Sequence, residues 1–84
     1  MNFIREANKI YLNDLNGHEV AKVEFESRVI GEIVVTHTFV DHTLRGQGIA
    51  KKLMDELSLY AKDQKLKIVG ECSYAIKYLA EFND

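Results

Sequence analysis

The chain has 84 residues, of which 11 are Lys or Arg and 13 are Asp or Glu, for a formal net charge of −2. This length predicts one domain over residues 1–84, and the charge predicts neither a nucleic-acid nor a membrane partner. The single cysteine, Cys72, excludes an intrachain disulfide and a thiolate-rich zinc site, and the three histidines lack metal-ligand spacing, so no metal is expected.

No apolar run reaches the ~20 residues that span a bilayer, and no secretory signal is visible. We expect a cytoplasmic protein that is monomeric or weakly dimeric.

The first half of the chain predicts three strands joined by short reversals. Residues 8–12 are predicted as the first strand, and Asn16-Gly17 is a strong hairpin signal. Residues 19–26 alternate strictly between apolar and charged side chains, which indicates a half-buried strand. Residues 27–28 are predicted to reverse the chain into a third strand over 29–40.

The third strand is rich in β-branched side chains on both faces, which favours a position at the centre of the sheet. Gly31 is a candidate for a β-bulge. One face of the strand is predicted to carry Ile33, Val35, His37 and Phe39. A histidine on such an apolar face is most often a structural residue.

The second half of the chain changes to helical periodicity. Apolar residues recur at i, i+4 and i+8 over residues 46–63, which predicts an amphipathic helix, and residues 66–71 are predicted as a short strand. Ser73 is a candidate N-cap for a final helix, whose packing stripe is Tyr74, Tyr78 and Phe82. The predicted fold class is α+β: three antiparallel strands, then a strand–helix–strand crossover and a C-terminal helix.

The run Arg-Gly-Gln-Gly-Ile-Ala at residues 45–50 lies between the third strand and the long helix. A glycine-bearing corner that opens a helix exposes unpaired amides at the positive end of the helix dipole, where phosphate groups bind. A plain strand-to-helix turn is an equally good interpretation of this spacing alone. The third glycine of a dinucleotide fingerprint and the Gly-Lys-Ser/Thr of a P-loop are both missing.

Residues 45–50 match the Arg/Gln-x-x-Gly-x-Gly/Ala signature of the GNAT acetyltransferases and stand between the expected strand and helix. Together with His37-Thr38 and the segment Leu-Lys-Ile-Val-Gly-Glu-Cys-Ser-Tyr at 66–74, the chain resembles a small single-domain GNAT-like subfamily over nearly its whole length. The resemblance implies a GNAT-like fold and an N-acetyltransferase that moves acetyl from acetyl-CoA to an amine. A non-catalytic acyl-CoA-binding module and a small interaction protein that uses its sheet edge are the alternatives.

The resemblance also implies which residues contact the cofactor. Amides from residue 47 to residue 51 would hold the pyrophosphate, and the end of the third strand would pair with the pantetheine where it splays from the strand at 66–71. The implied cofactor-binding residues are Phe39, Val40, Arg45, Gly46, Gln47, Gly48, Ile49, Ala50, Lys51, Ser73 and Tyr74.

Two residues are candidates for catalysis. Cys72 precedes a predicted helix start, a location that favours the thiolate, and it lies where the resemblance places the thioester. It could accept the acetyl group, donate a proton to the departing CoA thiolate, or be a small buried apolar residue. His37 lies near the cofactor strand and could be the general base that takes a proton from the amine; His18 and His42 carry no such indication.

Overall fold

The computed structural model describes residues 2–82 and has one layer of helices packed on one sheet. A 3-10 turn at His42–Leu44 precedes the long helix. The elements in chain order are β1 (Ile4–Arg5), β2 (Lys9–Asn13), β3 (Glu19–Glu26), β4 (Glu32–Val40), α1 (Ile49–Gln64), β5 (Lys67–Gly70) and α2 (Ser73–Phe82). The predicted α+β class is therefore confirmed.

The sheet order is β1-β2-β3-β4-β5, which is also the order of the strands in the chain. Strands β1 to β4 are antiparallel, and β5 lies parallel to β4, so α1 is the crossover between them. The sequence prediction missed β1, whose two residues pair with Ile10 and Tyr11 of β2. A strand of two residues is too short to show the alternation by which strands are recognised.

The alternating segment at Glu19–Glu26 forms β3 as predicted. Ala21, Val23 and Phe25 face the helices and are all buried, whereas their charged neighbours are not. Both helices and the inward faces of β2, β3 and β4 share one hydrophobic cluster: Ile10, Leu12, Ala21, Val23, Phe25, Ile33, Val35, Ile49, Leu53, Met54, Leu57, Ala61, Ala75 and Tyr78.

The predicted third strand, 29–40, was too long at its start, because β4 begins at Glu32. Gly31 has φ +86°, a left-handed conformation that suits glycine, and it lies in the reversal between β3 and β4 rather than in a bulge. The irregularity is farther along: Glu24 pairs with His37 but Phe25 pairs with Val35, so Thr36 is the extra residue.

This bulge corrects the predicted faces of β4. Val35 is fully buried against the helices, but the extra residue shifts the alternation, so that Thr38 lies opposite the buried Val23. His37 and Phe39 lie opposite Glu24 and Lys22 and are exposed on the helix-free face of the sheet. They do not share the face of Ile33 and Val35, because one added residue reverses every side chain that follows it.

The helix-free face is covered by ion pairs instead of by a further layer of the described chain. Lys9 Nζ lies 2.7 Å from Glu19 Oε2, and Lys22 Nζ lies 3.5 Å from Glu24 Oε1. These charged side chains keep this side of the two-layer fold polar, as expected for a sheet with one solvated face.

Helix α2 approaches β5 more closely than a side chain would permit. A Cβ atom built on Gly70 would lie 2.9 Å from the Ile76 amide nitrogen and 3.0 Å from the Ala75 carbonyl carbon. Glycine at position 70 therefore sets how near the start of α2 lies to the end of β5.

Candidate functional site

A cleft of about 550 Å³ lies between the last third of β4 and the start of α1. Its wall is formed by His37, Thr38, Phe39, Val40, Leu44, Arg45, Gly46, Gly48, Ile49, Ala50, Lys51 and Tyr74. The structure thus brings together residues from β4, the following corner, the first turn of α1 and the first turn of α2.

One end of the cleft is the N-terminus of α1. The predicted helix start at residue 46 was too early, because Gly48 is the N-cap and the helix begins at Ile49. Gly48 has φ +73° and ψ +19°, a left-handed conformation that does not occur inside a right-handed α-helix. The first intrahelical bond runs from the Lys52 amide to the Gly48 carbonyl at 3.1 Å. The amides of Ile49, Ala50 and Lys51 therefore have no acceptor within the helix, and the helix dipole adds positive potential at the same place.

The loop between β4 and α1 is held by two local contacts. Asp41 accepts hydrogen bonds from the Thr43 amide at 2.9 Å and the Thr43 hydroxyl at 2.8 Å, and the amide bond in particular lowers the pKa of the Asp41 carboxyl. The Arg45 guanidinium donates from Nε to the Val40 carbonyl at 3.2 Å. These contacts fix the approach of the chain to the helix corner.

The opposite wall is an edge of β4 that β5 leaves uncovered. Pairing between the two strands runs from Glu32 to Val35, and the last link is the Glu71 amide donating to the Val35 carbonyl at 2.9 Å. From residue 36 onward β4 continues while the chain after β5 turns into α2. The main-chain groups of residues 36–39 that point towards this gap are therefore available to an extended ligand, whereas the Val40 carbonyl already accepts from Arg45.

Cys72 lies where β4 and β5 part, and it corrects the prediction that Ser73 caps α2. The Cys72 carbonyl accepts from the Ile76 amide at 3.1 Å, and its Sγ accepts from the Ala75 amide at 3.4 Å. Cys72 is therefore the N-cap, and Ser73 is already the first helical residue and is exposed. The Cys72 Sγ also contacts the Thr38 hydroxyl at 3.8 Å, which ties α2 to β4 across the gap.

His37 lies at the cleft on the side of the sheet opposite Cys72. Its side chain is exposed on the helix-free face, although the residue lines the cleft through β4. Because Thr38 and Cys72 meet on the helix side, the two predicted catalytic residues lie towards opposite faces of the sheet.

Lys51 is held by its neighbours in both helices. Its Nζ lies 3.0 Å from Asp55 Oδ2 and 4.9 Å from the centre of the Phe82 ring. Tyr78 is 5% exposed and donates to Asp55 Oδ1 at 2.6 Å. Partial burial opposes ionisation of Asp55, but the bonds from Tyr78 and Lys51 outweigh it and lower its pKa. Burial, followed by the same bond to Asp55, raises the pKa of the Tyr78 hydroxyl.

Three of the predicted site residues do not line the cleft: Gln47, Cys72 and Ser73. Gln47 is exposed in the corner and outside the lining of the cleft, whereas Tyr74 is half-buried and lines it. Burial raises the pKa of the Tyr74 hydroxyl. Thr38 and Leu44 line the cleft but were missed as site residues. The Thr38–Cys72 contact depends on the bulge, which leaves no signal in the spacing of β-branched residues.

Residues 2–82 lack two kinds of feature that bear on function. Within this part of the chain, no helix combines the length and apolarity required to cross a bilayer. No three or more His, Cys, Asp or Glu side chains of these residues are grouped in a way that could hold a metal ion.

A family model and a solved structure both relate this chain to the same family. The family model of GCN5-related N-acetyltransferases matches residues 9–84. A GCN5-like protein from Staphylococcus aureus is 31% identical over 95% of this chain and 78% of its own, with a TM-score of 0.80. No curated protein matches the chain in sequence at a significant level.

More distant similarities extend to larger proteins. A GNAT family N-acetyltransferase from Escherichia coli, solved in complex with CoA, is 20% identical over 89% of this chain and 44% of its own, with a TM-score of 0.72. A Mycobacterium tuberculosis protein, also solved with CoA, is 19% identical over 88% of this chain and 46% of its own, with a TM-score of 0.70. The chain spans less than half the length of these two proteins, and at these identities they support the fold alone.

Proposed function

Because the chain belongs to the family of GCN5-related N-acetyltransferases, we propose that it binds acetyl-CoA in the cleft between β4 and α1 and transfers the acetyl group to an amine. The observation that carries the proposal is the start of α1, whose unpaired amides face the same cleft as the uncovered edge of β4. The choice of ligand rests on the family, and two proteins that share its fold were solved in complex with CoA.

The phosphate end of the ligand belongs at α1. The pyrophosphate of CoA carries negative charge and several acceptor oxygens, which match the free amides of residues 49–51 and the positive end of the helix dipole. Gly48 leaves no side chain at the N-cap and adopts a conformation that disfavours other residues. Arg45, which also lines the cleft, supplies positive charge beside these amides, whereas the charge of Lys51 is balanced by Asp55.

The pantetheine arm belongs along β4. Its amides can pair with the main-chain groups of residues 36–39, in the way that an added strand pairs with a sheet edge. In this arrangement the thioester reaches the point where β4 and β5 part, near Cys72 and Thr38. Tyr74 then lies against the arm from α2.

Transfer requires a route for the proton of the attacking amine. CoA supplies an activated acyl group, and the protein contributes orientation and proton transfer. His37, exposed on the helix-free face, can take the proton from an amine that approaches from that side. The acceptor would then enter from the face opposite the helices.

Cys72 has two possible roles in this reaction. As an acyl acceptor, its thiolate attacks the acetyl carbonyl, a new S–C bond forms, and the bond to the CoA sulfur breaks as the CoA thiolate departs. The amine then attacks the acetyl group on Cys72 and loses its proton, and the new S–C bond breaks as the Cys72 thiolate departs. As a general acid, the Cys72 thiol gives its proton to the departing CoA thiolate while the amine attacks directly. Cys72→Ala removes both roles, so we expect acetyl transfer to fall sharply while acetyl-CoA binding stays near normal. Unchanged turnover in that variant would leave Cys72 a packing residue.

Binding is tested by placing a charge at the phosphate end. Ala50 lines the cleft in the first turn of α1, and we compare Ala50→Glu with its neutral control Ala50→Gln by isothermal titration with acetyl-CoA. A carboxylate in the first helical turn favours the helix but repels the diphosphate, so we expect about tenfold weaker binding for Ala50→Glu than for Ala50→Gln. Equal affinities would place the phosphates elsewhere.

Transfer is tested separately from binding. CoA release from acetyl-CoA is followed with a panel of small amines and lysine-bearing peptides, with the Cys72→Ala variant as the control. Amine-dependent release supports the transferase. Tight binding with no release for any amine would instead favour the non-catalytic acyl-CoA-binding module.

A further inference from the structure

The side chain of Thr38 is the only β4 hydroxyl that contacts Cys72 among the hydrogen bonds of the described residues. Its Oγ1 lies 3.8 Å from Cys72 Sγ, on the opposite side of the gap between the two strands. The Ala75 amide donates to the same sulfur at 3.4 Å from the first turn of α2. Two groups that can donate hydrogen bonds therefore meet at one sulfur atom.

Thr38 reaches Cys72 because of the bulge at Thr36. Without the extra residue, regular alternation from Val35 would put residue 38 on the helix-free face and residue 37 on the helix side. With it, Thr38 lies opposite Val23, on the side where α2 begins. The contact between Thr38 and Cys72 therefore depends on the bulge, and bulges commonly redirect side chains beside active sites.

We propose that Thr38 is a positioning residue for Cys72, holding the sulfur in the gap between β4 and β5 by donating its hydroxyl to the thiolate. This proposal rests on the proposed function. If Cys72 accepts the acetyl group, it must be a thiolate before it attacks the acetyl carbonyl. If Cys72 gives a proton to CoA, it becomes a thiolate after the proton is transferred. A hydrogen bond from the Thr38 hydroxyl stabilises the thiolate in both cases. The Ala75 amide is the second donor.

A purely structural role predicts a different result from the same substitutions. If the Thr38 methyl group only packs against the core, Thr38→Val keeps that packing and changes nothing, whereas Thr38→Ser leaves a gap. If the hydroxyl acts on the sulfur, the order is reversed. The two variants therefore separate hydrogen bonding from packing.

The experiment measures the reactivity of Cys72 directly. Cys72 is the single cysteine of the chain, so whole-protein mass spectrometry reports the rate at which iodoacetamide alkylates this one site. We expect Thr38→Val to react about two- to fivefold more slowly than wild type, because the attacking sulfur loses a hydrogen bond that holds it in place and stabilises its negative charge. Thr38→Ser should react at close to the wild-type rate.

Two further measurements complete the test. Acetyl-CoA titration of wild type and Thr38→Val measures binding, and where turnover is detected Thr38→Val should lower kcat by a larger factor than it changes KM, with Thr38→Ser restoring kcat. Equal alkylation rates in wild type and Thr38→Val, or equal slowing in Thr38→Ser, would overturn the positioning role. If wild type does not bind acetyl-CoA, the proposed function is wrong. The alkylation rates still test the positioning role, because alkylation does not require acetyl-CoA.

Discussion

Replacing Gly70 by alanine tests the close packing of α2 on β5. The added Cβ would lie 2.9 Å from the Ile76 nitrogen, 3.0 Å from the Ala75 carbonyl carbon and 3.2 Å from the Ala75 Cβ. Two of these three atoms belong to the backbone of the helix, so a side-chain rotation cannot relieve the overlap. We expect α2 to be displaced from β5 and the fold to be destabilised.

The size of the effect follows from two opposing contributions. Overpacking in a close-packed region costs about 1–3 kcal/mol, whereas replacing glycine by alanine stabilises by about 0.4–1 kcal/mol where the backbone allows it, through the unfolded chain. The net loss is therefore roughly 1–2 kcal/mol, which for a domain of this size lowers Tm by about 5–15 °C. Thermal and urea unfolding followed by circular dichroism measure it.

A second substitution identifies the atoms responsible. Ala75→Gly removes only the 3.2 Å contact and costs about 1 kcal/mol of its own as a glycine within a helix. The double variant should therefore be no more stable than Gly70→Ala alone. A Gly70→Ala protein as stable as wild type would refute the inferred close approach, and full rescue by Ala75→Gly would assign the clash to the methyl group.

Three further outcomes are expected. Tyr78→Phe removes the 2.6 Å bond to Asp55 and should cost about 1 kcal/mol, seen as a fall in Tm of about 4–8 °C; an unchanged Tm would mean that the bond adds nothing. The pKa of the Asp55 carboxyl is lowered in the folded protein. Its contribution to the free energy of unfolding is therefore fully present above its unfolded-state pKa and is lost as the pH falls through its folded-state pKa. Asp55→Asn should consequently weaken the dependence of stability on pH in the acid range. Unfolding profiles of the same slope in both proteins would contradict this. His37→Ala should retain wild-type stability and acetyl-CoA affinity, because the side chain is exposed, while the pH–rate profile of transfer loses its acid limb; an identical profile would exclude His37 as the base.

Most of the fold was predictable because its signals are local. The alternation of β3, the helical period of α1 and the crossover to β5 each follow from short-range patterns, and the structure confirms them. A cleft lies beside the glycine-bearing corner at residues 45–50, and the binding roles predicted for this corner stay predictions. By contrast, β1 has two residues and owes its strand conformation to pairing with β2.

The details of the candidate site were less predictable because they depend on pairing. Apolar and β-branched residues occupy both faces of β4, so the sequence does not reveal where the alternation shifts, and His37 was assigned to the wrong face. Cys72 was not recognised as the cap of α2 because a thiol is a weak acceptor and the neighbouring Ser73 is a preferred cap. Asp55 and Tyr78, which orient Lys51, look like ordinary residues of two amphipathic helices until those helices are packed together.

The agreement between strand order and chain order has a consequence for how the molecule assembles. Neighbouring antiparallel strands require only short loops to close, which favours rapid formation of the β2–β3–β4 meander, whereas β5 joins β4 only after the intervening helix has crossed over. The cleft lies at that late junction, so local opening should begin there and precede global unfolding. Native-state hydrogen exchange should show β5 amides exchanging before those of β3, and equal protection of the two strands would argue against this order of events.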